Sequence, residues 1–196
     1  MTINCIGKLI DLSTPKVMGI LNLTPDSFYD GGKHTSDLEI LNQVEKMLSD
    51  CATFIDIGAY SSRPNAKHIS EDEELKRLLP NIEIILKKFP ETLISVDTFR
   101  SNVAIESVNL GACMVNDISG GTLDENMFKV IGKLQVPYIL MHLKGTPQNM
   151  QQNPTYENVV RDVLNYFSEK VALLRKEKVN DIILDVGFGF AKTFEH

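Results

Sequence analysis

Ile182-Ile-Leu-Asp-Val186 is apolar on both faces of an extended chain, and its one polar residue, Asp185, stands near the carboxyl end. A strand apolar on both sides belongs between two covering layers, as parallel strands do, rather than half-exposed in an antiparallel sheet. Five more short apolar runs have the same character, at residues 17–23, 54–57, 93–96, 114–115 and 138–141. Amphipathic helical patterns separate them. The clearest starts at a capping box, Ser70-Glu-Asp-Glu73, and carries Leu75, Leu78, Leu79, Ile82, Ile85, Leu86 and Phe89 at three- and four-residue steps. Pro80 inside it is expected to kink the helix. A second helix is predicted over 156–178, and shorter ones over 37–48, 101–110 and 125–134.

Strand and helix in strict alternation mean a parallel sheet with right-handed crossovers, either doubly wound or closed into a barrel. The polar residues decide between the two. Asn22, Asp56, Asp97, Asn116, His142 and Asp185 each sit at or just past the carboxyl end of a different strand. A doubly wound sheet gathers its site at one switch point, whereas a barrel brings every strand end to one mouth. The expected fold is therefore an α/β TIM (β/α)8 barrel, as a single domain over residues 1–196. Eight units usually take about 250 residues, so about the first six strands are expected in this chain, which would then stop before the barrel closes.

With 43% hydrophobic and 23% charged residues the chain can bury a core. No apolar stretch approaches a membrane span and the start has no secretory pattern, so a cytoplasmic location is expected. A net charge of −6 with scattered Lys and Arg argues against nucleic acid. Cys5, Cys51 and Cys113 are not spaced as a disulfide framework or a zinc site and read as small buried residues. The four histidines show no paired metal spacing, so surface or packing positions are expected for them.

Each strand-end segment has a bland reading beside a chemical one. Asn22-Leu-Thr-Pro-Asp-Ser-Phe28 is rich in turn formers that bond local backbone. Ser61, Ser62 and Arg63, ahead of Pro64, offer donors to a carboxylate or a diphosphate, or simply face solvent. An Asp or Asn at a strand end often caps the next helix. Capping does not account for all five strand-end acids and amides. Acceptors ringed in an apolar mouth suit a flat, nitrogen-rich heterocycle whose amino and ring N–H groups give paired bonds to one carboxylate. Asp185-Val-Gly-Phe-Gly-Phe190-Ala-Lys192 is neither a Walker loop nor a dinucleotide fingerprint, since the required glycines are absent.

Gly19-Ile-Leu-Asn-Leu-Thr-Pro-Asp-Ser-Phe28, Asp56-Ile-Gly with Ser61-Ser-Arg-Pro64, Ser95-Val-Asp-Thr98, Val115-Asn-Asp-Ile-Ser-Gly-Gly121, Met141-His142 and Asp185 with Gly187-Phe-Gly-Phe190-Ala-Lys-Thr193 together closely resemble the dihydropteroate synthase family. The resemblance covers nearly the whole chain. It implies a transferase of folate biosynthesis that joins 4-aminobenzoate to 6-hydroxymethyl-7,8-dihydropterin diphosphate, releasing diphosphate and 7,8-dihydropteroate. Under it, Asn22 would ligate Mg²⁺, and Asn22, Arg63, Asp97 and Asp185 form the expected catalytic set. Asp97, Asn116 and Asp185 would grip the pterin edge, with Ile118, Met141 and Phe190 on its faces. Ser61, Ser62 and Arg63 would hold diphosphate and aminobenzoate, with Phe28 and Pro64 against the benzoate ring. The loops after the first two strands would close over the substrates. Expected partners are these small molecules, with no nucleic acid or membrane, and a homodimer of the complete enzyme.

The chain departs from the family's usual Gly-Glu at Ala59-Tyr60, Gly at Asn65, Pro at Val186 and Gly at Ala191. The family's strand-seven Lys and strand-eight Arg-x-His have no counterpart in these 196 residues, so the polypeptide is expected to be inactive alone. Two rivals remain in view, a pterin-binding corrinoid methyltransferase domain and a non-catalytic pterin-binding protein. The 22–28 loop argues against the first.

Overall fold

The computed structural model describes residues 1–23, 33–60, 68–145 and 154–196. It opens with a hairpin that the apolar pattern did not announce: β1 (Thr2–Cys5) pairs antiparallel with β2 (Lys8–Asp11), Cys5 opposite Lys8. Ile6 and Gly7 form the two-residue turn, both at positive φ (49° and 84°). That is the geometry of a tight hairpin turn, but an Ile in the first position carries none of the usual turn signal. Asn4 supplies it instead, its side chain accepting from the Gly7 amide at 2.7 Å.

Six parallel strands follow in unbroken spatial order, β3 (Met18–Asn22), β4 (Phe54–Gly58), β5 (Leu93–Asp97), β6 (Met114–Asp117), β7 (Tyr138–Met141) and β8 (Ile182–Asp185). Between them run α1 (Lys33–Ser49), α2 (Glu71–Lys88), α3 (Ser101–Asn109), α4 (Met127–Leu134) and α5 (Val159–Lys176). Each strand lies beside its predecessor, the order of a barrel wall; a doubly wound sheet would reverse direction at a switch point. The fold is thus a TIM (β/α)8 architecture, with six of its strands among the described residues.

Local chemistry sets the helices. Ser70 caps α2 by accepting from the Glu73 amide, with Glu71, Asp72, Glu73 and Glu74 in the first turn and Lys87 and Lys88 in the last, each charge matched to the helix dipole. The helix runs through Pro80, where the Lys76 carbonyl loses its i+4 donor. Asn158 caps α5 on the Arg161 amide. Cys51 departs from expectation: Cys5 and Cys113 are buried, but Cys51 is exposed. It lies at φ 72° in the turn that ends α1, its amide donating to the Leu48 carbonyl, and a left-handed residue closing a helix faces solvent.

Alternation along the strands sorts their side chains into two sets. One set, including Leu21, Ile55, Ile57, Ile94, Val96, Val115, Tyr138 and Leu140, packs under the helices with Leu78, Ile82, Ile85, Val103, Ile131, Val163, Phe167 and Leu174. Truncating one such residue, as in Ile82→Ala, costs about 2–5 kcal/mol. The hairpin residues Ile3, Cys5 and Ile10 pack on Phe54, Cys113, Met114 and Ile139, sealing the amino-terminal end of the sheet. The second set of strand side chains, on the opposite face, carries the polar residues.

Candidate functional site

Register fixes which polar residues share that inner face. Asp56 is opposite Ser95, Gly58 opposite Asp97, and Asp97 opposite Asn116. Asn116 is opposite Ile139, Ile139 opposite Ile183, and Met141 opposite Asp185. Partners in a parallel ladder point to the same side, and so do residues two apart on one strand. Asn22, Asp56, Ser95, Asp97, Asn116, Met141 and Asp185 therefore line one face, toward its carboxyl end. Asp97, Asn116 and Asp185 do not diverge.

Glycine makes room for the central carboxylate. A Cβ on Gly58 would lie 3.1 Å from Asp97 Oδ2 and 3.3 Å from Asp97 Cβ, so the bare backbone of β4 is what Asp97 rests against. Burial holds the Asp97 carboxyl well above the usual range, and the neighbouring charges of Asp56, Asp117 and Glu74 push it the same way. Asp56, 3% exposed, accepts from Asn116 Nδ2 at 2.9 Å through Oδ2. Burial raises its carboxyl too, opposed by the Ser95 hydroxyl and Asn116 amide beside it.

The turn after β6 is held from behind. Asp117, fully buried, accepts from the Ser119 amide at 2.7 Å, the Gly121 amide at 2.9 Å and the Tyr138 hydroxyl at 2.7 Å. This places Ile118 in an apolar patch with Met141, Leu143 and Ala191, against which Phe190 packs. The three residues expected on the pterin faces thus meet in one cluster.

The segment after β8 is pinned by Lys192. Its ammonium donates to His142 Nδ1 at 2.9 Å and to the carbonyls of Phe190 at 3.1 Å, Gly187 at 3.3 Å and His142 at 3.4 Å. His142 is buried edge-on to Tyr166 with ring centroids 4.9 Å apart, the packing role expected of it. Its pKa falls to about 4, through burial first and the Lys192 charge second. Gly187, at φ 64°, has no space for a side chain, since a Cβ there would lie 2.6 Å from the His142 carbonyl oxygen. Asp185 Oδ1 accepts from the Gly187 amide at 2.8 Å, a local turn, and the carboxylate is exposed at the end of β8. Ala191 sits at φ 50°, where glycine is less strained, but its methyl is buried in the apolar patch. Another departure in the described residues, Tyr60, meets Phe99 edge-to-face at 4.9 Å, and Arg100 lies over both rings while pairing with buried Glu74.

Phe28, Ser61, Ser62, Arg63 and Pro64, and with them the two closing loops and Asn65, lie outside the described residues. Asn22 is exposed at the end of β3, its side chain with no hydrogen-bond partner among the described residues. Sequence reasoning did not find the Lys192 anchor or the Asp56–Asn116 link. A cavity of about 520 Å³ lies at the opposite end, between the hairpin and the ends of α1 and α2, lined by Ile10, Leu48, Phe89 and Leu93. It contains none of the strand-end acids.

The pterin binding enzyme family matches residues 18–196. The dihydropteroate synthase of Haemophilus influenzae is 45% identical over 192 residues, covering 97% of this chain and 69% of that protein. The chain belongs to the dihydropteroate synthase family. The Yersinia pestis dihydropteroate synthase, solved as a sulfonamide drug complex, superposes with a TM-score of 0.91 at 40% identity, covering all of this chain and 71% of that one. The Xanthomonas albilineans dihydropteroate synthase with 4-aminobenzoic acid gives 0.88 at 34% identity, covering 98% and 68%. Membership of this enzyme family makes the chain part of a pterin-binding transferase rather than a corrinoid methyltransferase domain. No helix among the described residues is long and apolar enough to cross a membrane.

Proposed function

We propose that the inner face serves the condensation of 6-hydroxymethyl-7,8-dihydropterin diphosphate with 4-aminobenzoate. The arylamine nitrogen attacks the methylene carbon as its bond to the diphosphate oxygen breaks. A C–N bond replaces a C–O bond, and the surplus amine proton leaves to solvent. The observation that carries this reading is the placement of Asp97, Asn116 and Asp185 on one face beside the Ile118–Met141–Phe190 patch. The acids and amide supply acceptors to the ring's donors, and the patch covers its flat surface. When diphosphate departs early, positive charge spreads from the methylene carbon into the pterin, where the fixed carboxylates stabilise it. An arylamine is already nucleophilic at neutral pH, so no general base is required.

Mg²⁺ fits this arrangement. Asn22 offers a hard oxygen donor, exposed and without a partner among the described residues, and no group of three or more His, Cys, Asp or Glu there forms a protein cage. A single protein ligand suits Mg²⁺, which keeps several waters and binds largely through substrate phosphates. When bound, the ion would neutralise the leaving diphosphate. The reaction is proposed for the cytoplasm, where the three free cysteines stay reduced. Calorimetry with 6-hydroxymethyl-7,8-dihydropterin diphosphate tests the reading. Asp185→Asn keeps an acceptor for the Gly187 amide but loses the charge, and affinity is expected to fall at least about tenfold; unchanged affinity removes Asp185 from the site.

A further inference from the structure

An asparagine amide is ambidextrous. Rotated by half a turn it swaps its acceptor and donor at almost no steric cost, so by itself it discriminates poorly between ligands with opposite hydrogen-bond patterns. Asn116 lacks that freedom. Its Nδ2 donates to Asp56 Oδ2 at 2.9 Å, and Asp56 is 3% exposed, so no bulk water could take over the bond. Turning the amide would set the Asn116 carbonyl against a carboxylate oxygen, two acceptors in contact in a buried site. The Asn116 carbonyl oxygen and its second Nδ2 hydrogen have no partner among the described residues, and the side chain shares the inner face with Asp97.

We infer that Asp56 is a positioning residue for specificity: it locks the Asn116 amide so that an acceptor beside a donor faces the mouth. This rests on the pterin-binding reading and deepens it. The complementary edge is an exocyclic amino group beside an unprotonated ring nitrogen, the pattern of a 2-aminopteridine. A 2-oxo pteridine presents an acceptor beside a ring N–H, the reverse pattern, and meets a fixed Asn116 with both contacts mismatched. Asp56 thus reads the 2-position without touching the ligand. Asp56 is 3% exposed with the Ser95 hydroxyl beside it, and a carboxyl kept at this depth in spite of a desolvation cost is one kept for orientation.

The test compares 6-hydroxymethylpterin with its 2-oxo counterpart, 6-hydroxymethyllumazine, by calorimetry on the full chain and on Asp56→Asn. An amide at position 56 can donate or accept, which frees Asn116 to turn. The preference for the amino compound is expected to fall about tenfold, mainly through gained lumazine affinity, which a general structural loss would not produce. An unchanged preference in a folded variant overturns the inference and leaves the pterin reading standing. Failure of the unaltered chain to bind the pterin at all sinks that reading instead. Should Asp56→Asn not fold, NMR on the unaltered chain decides: a through-hydrogen-bond coupling between the Asn116 side-chain nitrogen and the Asp56 carboxyl carbon supports the lock, and its absence refutes it.

Discussion

At the scale of single residues, the site places carboxylates where water would hold them better. Burial and the charges of Asp56, Asp117 and Glu74 raise the Asp97 carboxyl, so the folded state binds a proton there more tightly than the unfolded chain does. The sign follows. From the ordinary carboxylate range near 4 upward, stability falls as pH rises toward the folded value, because the unfolded chain ionises first. Removing the charge should therefore stabilise the protein while disabling it. Asp97→Asn is expected to raise the melting temperature by about 2–4 °C at pH 7.5, to give no gain near pH 4, and to weaken pterin binding strongly. Melts at the two pH values check this, and a variant less stable at pH 7.5 would contradict the account. Gly58→Ala acts through packing instead: its Cβ would lie 3.1 Å from the Asp97 carboxylate and 3.3 Å from Asp97 Cβ, so affinity should drop about threefold or more and stability should fall by about 1–3 kcal/mol, as read by calorimetry and thermal melts. Asp97, Asn116 and Asp185 were legible in the sequence because strand ends and the period of two decide where they point. The Asp56–Asn116 bond joins residues sixty apart, and no local pattern encodes it.

At the scale of elements, α2 was legible from its capping box and periodicity and α5 from periodicity alone, because those signals are local. The β1–β2 hairpin was not. Its turn holds Ile6 at positive φ, a strain accepted because Ile3, Cys5 and Ile10 then bury against the sheet. The segment after β8 depends on a similar long-range tie, the Lys192 ammonium on His142 and three carbonyls, and sequence offered only a lysine in a glycine-rich stretch. Lys192→Met removes a buried charged donor, for about 2–3 kcal/mol, and frees the backbone that carries Asp185 and Phe190. Pterin affinity should drop, and the His142 pKa should rise from about 4 in an NMR titration, because the second cause of its depression is gone. In the unaltered protein His142 contributes stability that is present above about 6.5, its unfolded value, and is lost as pH falls through about 4. A His142 titration unmoved by Lys192→Met would disconnect the pair.

At the scale of the whole molecule, six strands in sequential order leave β3 and β8 as the outer members of the described sheet. Both present apolar side chains to solvent: Ile20 on β3 is 66% exposed and Leu184 on β8 is 51% exposed, and on α5 Val160 and Leu164 stand out as well. An unpaired parallel strand offers a row of free N–H and C=O groups to any other chain, and nearby apolar surface adds a driving force. The 196-residue polypeptide is therefore expected to self-associate at micromolar concentration. Light scattering during size-exclusion chromatography checks this: a mass that rises with concentration agrees with open edges, and Ile20→Lys on β3 should lower it, because a charge on that strand blunts the surface that pairs. A monodisperse monomer across the same concentrations would show that the outer strands are shielded, and the edge argument would fall with it.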